Sequence, residues 1–219
     1  MMDDLDDNWC LATGMGDYPA DRNHADLFSR GGFPKVQPYY GRMTDVYALR
    51  DEVKPYIRSY FNAIPSLLSL ENLSFWEHFH NTGGWNKTHE TGGFLHHTRT
   101  MLVMERGPEL WLAPFVTNQW LQDGMTIHVQ HAPTQFGEVS YRIKSSVAHG
   151  YIEANVTAPT RKAPKRQAPP AIVVRLRHPE GKPMRSVSVN GQAHTDFDPA
   201  RECVRVVPQG GAIWIVARY

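Results

Sequence analysis

Hydrophobic residues follow a helical period in the first half of the chain. From Thr44 onward, apolar side chains recur at spacings of three and four, which predicts an amphipathic helix with Thr44 as its N-cap. Pro55 and Pro65 fall within this pattern, and we expect them to kink or split the helix. The residues expected to be buried together are Val46, Leu49, Val53, Ile57 and Ile64, and the same stripe includes Tyr60 and Leu67.

Beyond Pro108 the hydrophobic period becomes two, which is typical of strands with one buried face. Asn190-Gly191 marks a hairpin turn, and glycine or proline separates several other runs. We therefore predict an antiparallel β-sandwich of seven or more strands. The alternating runs are 125–129, 139–144, 151–157, 171–177, 185–189, 203–207 and 212–218.

The remaining segments complete an α+β chain. Residues 1–43 are rich in glycine and proline and are predicted to form loops, while 160–170 is predicted to be an exposed basic loop. A short helix is expected over 71–80 and a loop over 81–91, and the periodicity of 93–105 fits a helix or a strand. We expect two domains, a helical segment of residues 1–105 and a β-sandwich of residues 106–219.

Charge and composition exclude several classes of protein. The 219 residues carry a net charge of +1, so no general attraction to nucleic acid or to an anionic membrane is expected. No run approaches the ~20 apolar residues of a membrane-spanning helix. The acidic start MMDDLDDNWC is not a secretory signal, which leaves the compartment open. Two buried thiols, Cys10 and Cys203, are favoured over a disulfide because they fit no recognised spacing.

Candidate chemistry is concentrated in LSFWEHFHNTGGWNKTHETGGFLHHTR, residues 73–99. This stretch holds five of the 11 histidines, two of the six tryptophans and the carboxylates of Glu77 and Glu90. Such a composition is compatible with a metal site, with a sugar-binding cleft that carries acid and base carboxylates, or with a polar loop that happens to be rich in histidine.

A metal site would draw on the imidazoles of His78, His80, His96 and His97, with Glu77 or Glu90 completing the ligands. His96 and His97 are adjacent, however, and neighbouring side chains on a helix point about 100° apart. Only one of them is therefore expected to face a site. We predict neither a metal nor any other cofactor.

A sugar cleft accounts for more of the residues. Trp76 and Trp85 offer flat apolar faces to a pyranose ring, and histidine, asparagine and lysine side chains offer hydrogen bonds to hydroxyl groups. Glu77 and Glu90 are the carboxylates that glycoside hydrolysis needs. The expected substrate-binding residues are Trp76, His78, His80, Trp85, Asn86 and His89.

The order of these features resembles the C-terminal end of six-hairpin, (α/α)6-barrel glycosidases, the architecture of inverting α-L-rhamnosidases and α-L-fucosidases. The segment DVYALRDEVKPYIRSYFNAIPSLLSLENLSFWEHF resembles a late barrel helix followed by a Trp-Glu segment. WNKTHETGGFLHHTRTMLVME resembles the loop with a catalytic carboxylate and the closing barrel helix, which makes 93–105 a helix. GPELWLAPFVTNQWLQDGMTIHVQHAPTQFGEVSYRI and the tail from Ile172 to Tyr219 resemble the β-sandwich that follows the barrel.

This resemblance implies a glycoside hydrolase-like chain acting on plant or microbial glycans. Glu90 or Glu77 would be the general base of an inverting hydrolysis, while the general acid of such enzymes lies in an earlier hairpin, which this chain does not contain. We therefore expect either a C-terminal fragment that is inactive alone and contributes its base to a full-length parent, or a reduced relative that has lost the chemistry. A carbohydrate ligand is the expected partner. Helices without their partner hairpins would leave an apolar face exposed, which would allow self-association.

The alternative is a carbohydrate-binding or assembly module without catalysis, built on the sandwich. It is favoured if Trp111, Trp120 and Trp214 line one sheet face. Trp214 lies in AIWIVARY and is expected to be packed in the core instead.

Overall fold

The computed structural model describes residues 43–76, 86–159 and 168–219. The chain divides into two compact units, residues up to Thr100 and residues from Met101 to Tyr219. The predictions for residues 1–42, for 77–85 and for most of the basic loop 160–170 lie outside the described residues. Cys10 is among them, whereas Cys203 is buried, with its Sγ 3.1 Å from the carbonyl oxygen of Arg201.

Three helices are described: α1 (Met43–Arg50), α2 (Val53–Leu67) and α3 (Thr88–Leu102). The helix predicted from Thr44 is split, but the split comes at Asp51, where φ is 64°, before either proline. Pro55 is the third residue of α2, in a first turn whose amides have no intrahelical partner, and Pro65 lies in its last turn. Pro55 therefore removes no intrahelical hydrogen bond, whereas Pro65 removes the one that its amide would donate to the carbonyl oxygen of Phe61.

Of the predicted buried stripe of the first unit, Tyr60 and Leu67 are buried, whereas the other five positions are not. Leu49 is 68% exposed, and Val46, Val53, Ile57 and Ile64 are only half-buried. On α2 the buried face is turned towards the preceding residue by less than the 100° of one full residue, so that Tyr56, Ser59 and Ala63 are buried in place of Val53, Ile57 and Ile64. The tyrosines determine which face of α2 is buried, because they bury more area than isoleucine or valine and also form hydrogen bonds through their hydroxyl groups. The side chains that are buried on α1 and α2 are those of Thr44, Tyr47, Ala48, Tyr56, Ser59, Tyr60, Ala63 and Leu67.

The described part of the connection between α2 and α3 is a turn closed by a β-bridge. Leu68 and Phe75 form an isolated β-bridge, and residues 71–76 are not helical, which corrects the short helix expected over 71–80. The helix expected over 93–105 is confirmed as α3, although it ends at Leu102. It begins at Thr88, inside the predicted loop 81–91.

Eleven strands are described in the second unit, which confirms the sandwich prediction of seven or more. All seven alternating runs form strands, and four short strands join them. The strands are β1 (Val103–Arg106), β2 (Glu109–Leu112), β3 (Thr126–Thr134), β4 (Gly137–Ser146), β5 (Tyr151–Thr157), β6 (Ala171–Arg175), β7 (Ser186–Val189), β8 (Gln192–His194), β9 (Phe197–Asp198), β10 (Cys203–Val206) and β11 (Ala212–Arg218).

The strands form two sheets, in the orders β1-β2-β6-β10-β9 and β3-β4-β5-β11-β7-β8. Every pair is antiparallel except β2 with β6, which run parallel with Leu110 opposite Ile172. Asn190 and Gly191 close the β7–β8 hairpin with positive φ values of 51° and 80°, as a two-residue primed turn requires. In β3, an irregularity between Val129 and Ala132 interrupts the pairing with β4.

The core of the second unit consists of residues that alternate with more exposed positions along β4, β5 and β11, and of residues from β2 and β6, which are buried at nearly every position. Fully buried examples are Leu110, Leu112, Val139, Ile143, Ile152, Ala154, Ile172, Val174 and Ile215. The described residues thus form an α+β chain with a β-sandwich in its C-terminal half. No helix among them is long and apolar enough to cross a bilayer.

Candidate functional site

Glu90 is the predicted catalytic residue that the structure describes best. It lies in the first turn of α3 and is only 1% exposed. Its Oε1 is 3.2 Å from Nδ1 of His89, while its Oε2 is buried and has no hydrogen-bond partner among the described residues. A buried carboxylate oxygen without a partner is costly, which makes this group a candidate for chemistry. Glu77, the other predicted carboxylate, lies outside the described residues.

Trp76 lies on the segment that leads towards this carboxylate in sequence. Its amide donates to the carbonyl oxygen of Leu67 at 2.8 Å, and the amide of Lys87 donates to the carbonyl oxygen of Phe75 at 3.1 Å. These bonds bring the start of α3 beside the Phe75–Trp76 segment. The indole Nε1 of Trp76 is buried and, within the described residues, has no acceptor.

The other predicted binding residues divide into two groups. Asn86 is exposed and adopts a φ of 59° just before α3, and His89 is about half exposed. Trp76 therefore lies just before residues 77–85, and Asn86, His89 and Glu90 lie just after them. The other predicted binding residues, His78, His80 and Trp85, lie outside the described part of the chain.

Aromatic side chains fix α3 against α2 and the segment before it. Phe94 stacks on Tyr60 at 6.0 Å between ring centroids and packs against Phe75 at 5.0 Å. Tyr60 also shares a hydrogen bond of 2.7 Å with Thr98, and burial raises the pKa of its phenol. The helix that carries Glu90 is therefore held on a rigid base, as a positioned acid or base requires.

A second cluster of titratable groups lies along α1 and α3. Oδ1 of Asp45 is 3.0 Å from Nε2 of His96 and 3.0 Å from Nε2 of His97. This geometry overturns the expectation that only one of the two adjacent histidines faces a common site. Rotation about their side-chain bonds brings both imidazoles to one oxygen, with the rings tilted by 51°. Sequence reasoning missed Asp45, which is 51 residues from His96 and shows no local motif.

The tryptophans of the sandwich do not line a single face. Trp111 is 3% exposed and lies beneath the guanidinium groups of Arg106, Arg175 and Arg201, at 5.1 to 5.4 Å. Trp120 is half-buried. Trp214 is 46% exposed, so its expected place in the core is wrong. The alternation of β11 explains why, because Ile213, Ile215 and Ala217 point inward and Trp214 falls on the opposite face.

Polar residues continue the row of Trp214 across the sheet. Trp214 pairs with Asn155, which pairs with Arg142, which pairs with His128, so these four share one face. The indole Nε1 of Trp214 lies 3.3 Å from a carboxylate oxygen of Glu153. An exposed ring beside hydrogen-bonding side chains is the arrangement of a sugar-stacking surface.

Comparison with known proteins gives distant structural similarity without sequence matches. No protein-family model matches the chain, and no curated protein matches it. A solved structure described as a glycoside hydrolase is similar with 15% sequence identity and a TM-score of 0.37. The match covers 79% of this chain and 29% of the other, so this chain spans under a third of that protein's length.

Proposed function

We propose that this chain contributes the general base of an inverting glycoside hydrolase, and that Glu90 is that base. The observation that supports this proposal is the state of the Glu90 carboxylate, buried with one oxygen lacking a partner among the described residues. A general base needs an accepting oxygen that is not already engaged by the protein. The catalytic alternative, Glu77, offers no such observation.

The neighbouring residues suit a sugar-binding role. Trp76 would supply an apolar ring face and a buried N–H group, and Asn86 and His89 would hydrogen-bond to hydroxyl groups. His89, at 3.2 Å from Oε1, would orient the carboxylate while Oε2 accepts the proton of the attacking water. In an inverting reaction this water attacks from the face opposite the leaving group, which receives its proton from a separate acid.

An activated aryl glycoside isolates the role of the base. A dinitrophenolate leaving group needs little protonation, so the chain can be assayed without a general acid. We expect slow hydrolysis with inversion, which NMR of the first sugar product can show. In Glu90→Gln the hydrolysis rate should fall about 100-fold or more. Azide needs no deprotonation, so it should restore turnover in Glu90→Ala and give a glycosyl azide of inverted configuration.

Glu71→Gln is the matched control, because Glu71 is an exposed glutamate of the same unit. It should retain the wild-type rate. Unchanged activity in Glu90→Gln, or a product with retained configuration, would remove Glu90 from this role. Trp76→Phe tests binding, since a weaker stacking face should raise KM more than it lowers kcat, whereas His89→Gln removes the group that orients Glu90 and should lower kcat.

A second candidate function is a glycan-binding surface on the β-sandwich, supported by the exposure of Trp214. The row His128, Arg142, Asn155 and Trp214 offers one ring face and several hydrogen-bonding groups. A polysaccharide pull-down with Trp214→Ala, using Trp120→Phe as a control, tests this surface. Loss of binding in Trp214→Ala but not in Glu90→Gln would place the polysaccharide-binding site on the sandwich. Loss in Glu90→Gln but not in Trp214→Ala would place it at α3.

A further inference from the structure

We propose that Asp45, His96 and His97 form a binding site for a divalent transition metal of the zinc type. Their three donor atoms lie within 4.8 Å of one another, and Oδ1 of Asp45 is 3.0 Å from each Nε2. This site involves neither Glu90 nor the sandwich, so it stands independently of the proposed hydrolysis.

The spacing of the donor atoms fits metal coordination. Ligand bonds of about 2.0–2.1 Å that meet at 90–110° place neighbouring donors about 2.9–3.4 Å apart. The two distances of 3.0 Å fall in this interval. Two imidazoles and one carboxylate are the ligand types of zinc sites that keep a further position for water. His96 is 54% exposed, so solvent reaches one side of the cluster.

The ligands are held on a frame formed by α2. Thr44, next to Asp45, shares a hydrogen bond of 2.6 Å with Ser59, which ties the start of α1 to α2. The hydroxyl of Tyr56 donates to the carbonyl oxygen of His97 at 2.5 Å, which ties α3 to the same helix. Asp45 and the two histidines are therefore positioned from both sides before any ion binds, which lowers the cost of ordering the site.

The chemistry of the ligands sets the class of ion. Imidazole nitrogen favours Zn²⁺, Co²⁺, Ni²⁺ and Cu²⁺ over Mg²⁺ and Ca²⁺, which prefer an all-oxygen shell. A bound ion would join helices whose ligands are more than 50 residues apart in sequence. It would cross-link these helices and so stabilise the folded first unit.

The test uses the untagged chain, freed of metal with a chelator and then titrated with Zn²⁺ in competition with a chromophoric chelator. We expect wild type to bind one more equivalent of Zn²⁺ than Asp45→Asn or His96→Gln binds. If the variants bind the same number of equivalents, wild type should bind the last one at least tenfold more tightly than they do. Co²⁺ should give visible ligand-field bands in wild type that these variants lack. Zn²⁺ should raise the melting temperature of wild type only.

His149→Gln is the control, because His149 is an exposed histidine of the second unit. His96 is more than half exposed, so His96→Gln keeps the fold and the test does not depend on His97, which is buried. His78 and His80 are unchanged in all of these variants, so any binding by them is present throughout. Equal stoichiometry and affinity in wild type, Asp45→Asn and His96→Gln would overturn the proposal.

Discussion

At the scale of single residues, buried polar groups differ in whether the fold provides them with a partner. The hydroxyl of Tyr141 is buried and donates to the carbonyl oxygen of Leu102 at 2.9 Å, whereas Oε2 of Glu90 has no partner among the described residues. The sequence identified Glu90 as a candidate from its neighbours, but burial depends on packing that no local pattern encodes. The same limit explains why Asp45 was not predicted, since its partners His96 and His97 are distant in sequence.

Replacing Glu90 should separate stability from activity. Glu90→Gln removes a carboxylate whose second oxygen is unpaired among the described residues, so we expect the free energy of unfolding to rise by about 1 kcal/mol. Urea denaturation of wild type and Glu90→Gln measures the difference. A loss of more than about 1 kcal/mol would show that the carboxylate is mainly a structural group.

Buried tyrosines should make the second unit sensitive to alkali. Burial raises the pKa of Tyr141 and of Tyr219 above the usual value of 10.0. Both phenols are protonated in the folded and unfolded states below pH 10, so their contribution to stability is complete there. Above pH 10 the unfolded chain ionises first, and the free energy of unfolding falls as the pH rises.

Urea denaturation at pH 8, 9.5 and 10.5 tests this dependence. Tyr141→Phe and Tyr219→Phe should each reduce the fall in stability between the two higher values. Tyr141→Phe should also cost about 1 kcal/mol at pH 8, because the carbonyl oxygen of Leu102 then keeps only the amide of Ala113 as a donor. A pH dependence identical to that of wild type would contradict the argument.

At the scale of elements, strands were predicted more accurately than the helical face. Alternation along β4 gives the burial of each residue directly, because the side chains of a strand have only two directions. A helix can rotate about its axis by any angle, so its buried face is less restricted. Because the helix breaks at Asp51, the buried face of α1 does not fix that of α2. The tyrosines then determined which side of α2 is buried.

The β7–β8 hairpin depends on the left-handed conformation of Gly191, where φ is 80°. Open space surrounds the position of a Cβ there, so a substitution meets backbone strain and no steric clash. We expect Gly191→Val to destabilise the second unit by about 1–2 kcal/mol and Gly191→Asn to cost clearly less, since asparagine tolerates this region. Equal melting temperatures for the two variants would contradict this.

At the scale of the whole molecule, the sequence indicated a helical unit and a sandwich, because the change of period is visible along the chain. The pairing of β2 with β6 and the meeting of α1 with α3 were not predictable in this way. Both join residues that are far apart in sequence, and their geometry follows from the packing of complete elements. Which apolar side chains remain exposed also depends on how the elements of a unit pack together.

Self-association through the first unit is a prediction that these side chains allow. Leu49, Leu70, Leu73 and Leu95 are 60–82% exposed. We expect a second copy of the chain to cover them, so that sedimentation velocity shows mass increasing with concentration. The double variant Leu49→Gln/Leu95→Gln should weaken this association, and Val207→Gln, which changes a residue 60% exposed in the other unit, should not. A monomer at all concentrations would contradict it.

The interruption in β3 has a consequence for how copies of the sandwich meet one another. β3 is the outer strand of its sheet, and its pairing is irregular between Val129 and Ala132, next to Pro133, which has no amide hydrogen. The opposite edge, β8, is three residues long, and β9 at one edge of the other sheet has two. The remaining edge, β1, has four residues. Among the described strands a neighbouring chain therefore finds no long row of open amides to extend, so the sandwich resists growth into fibrils by strand addition.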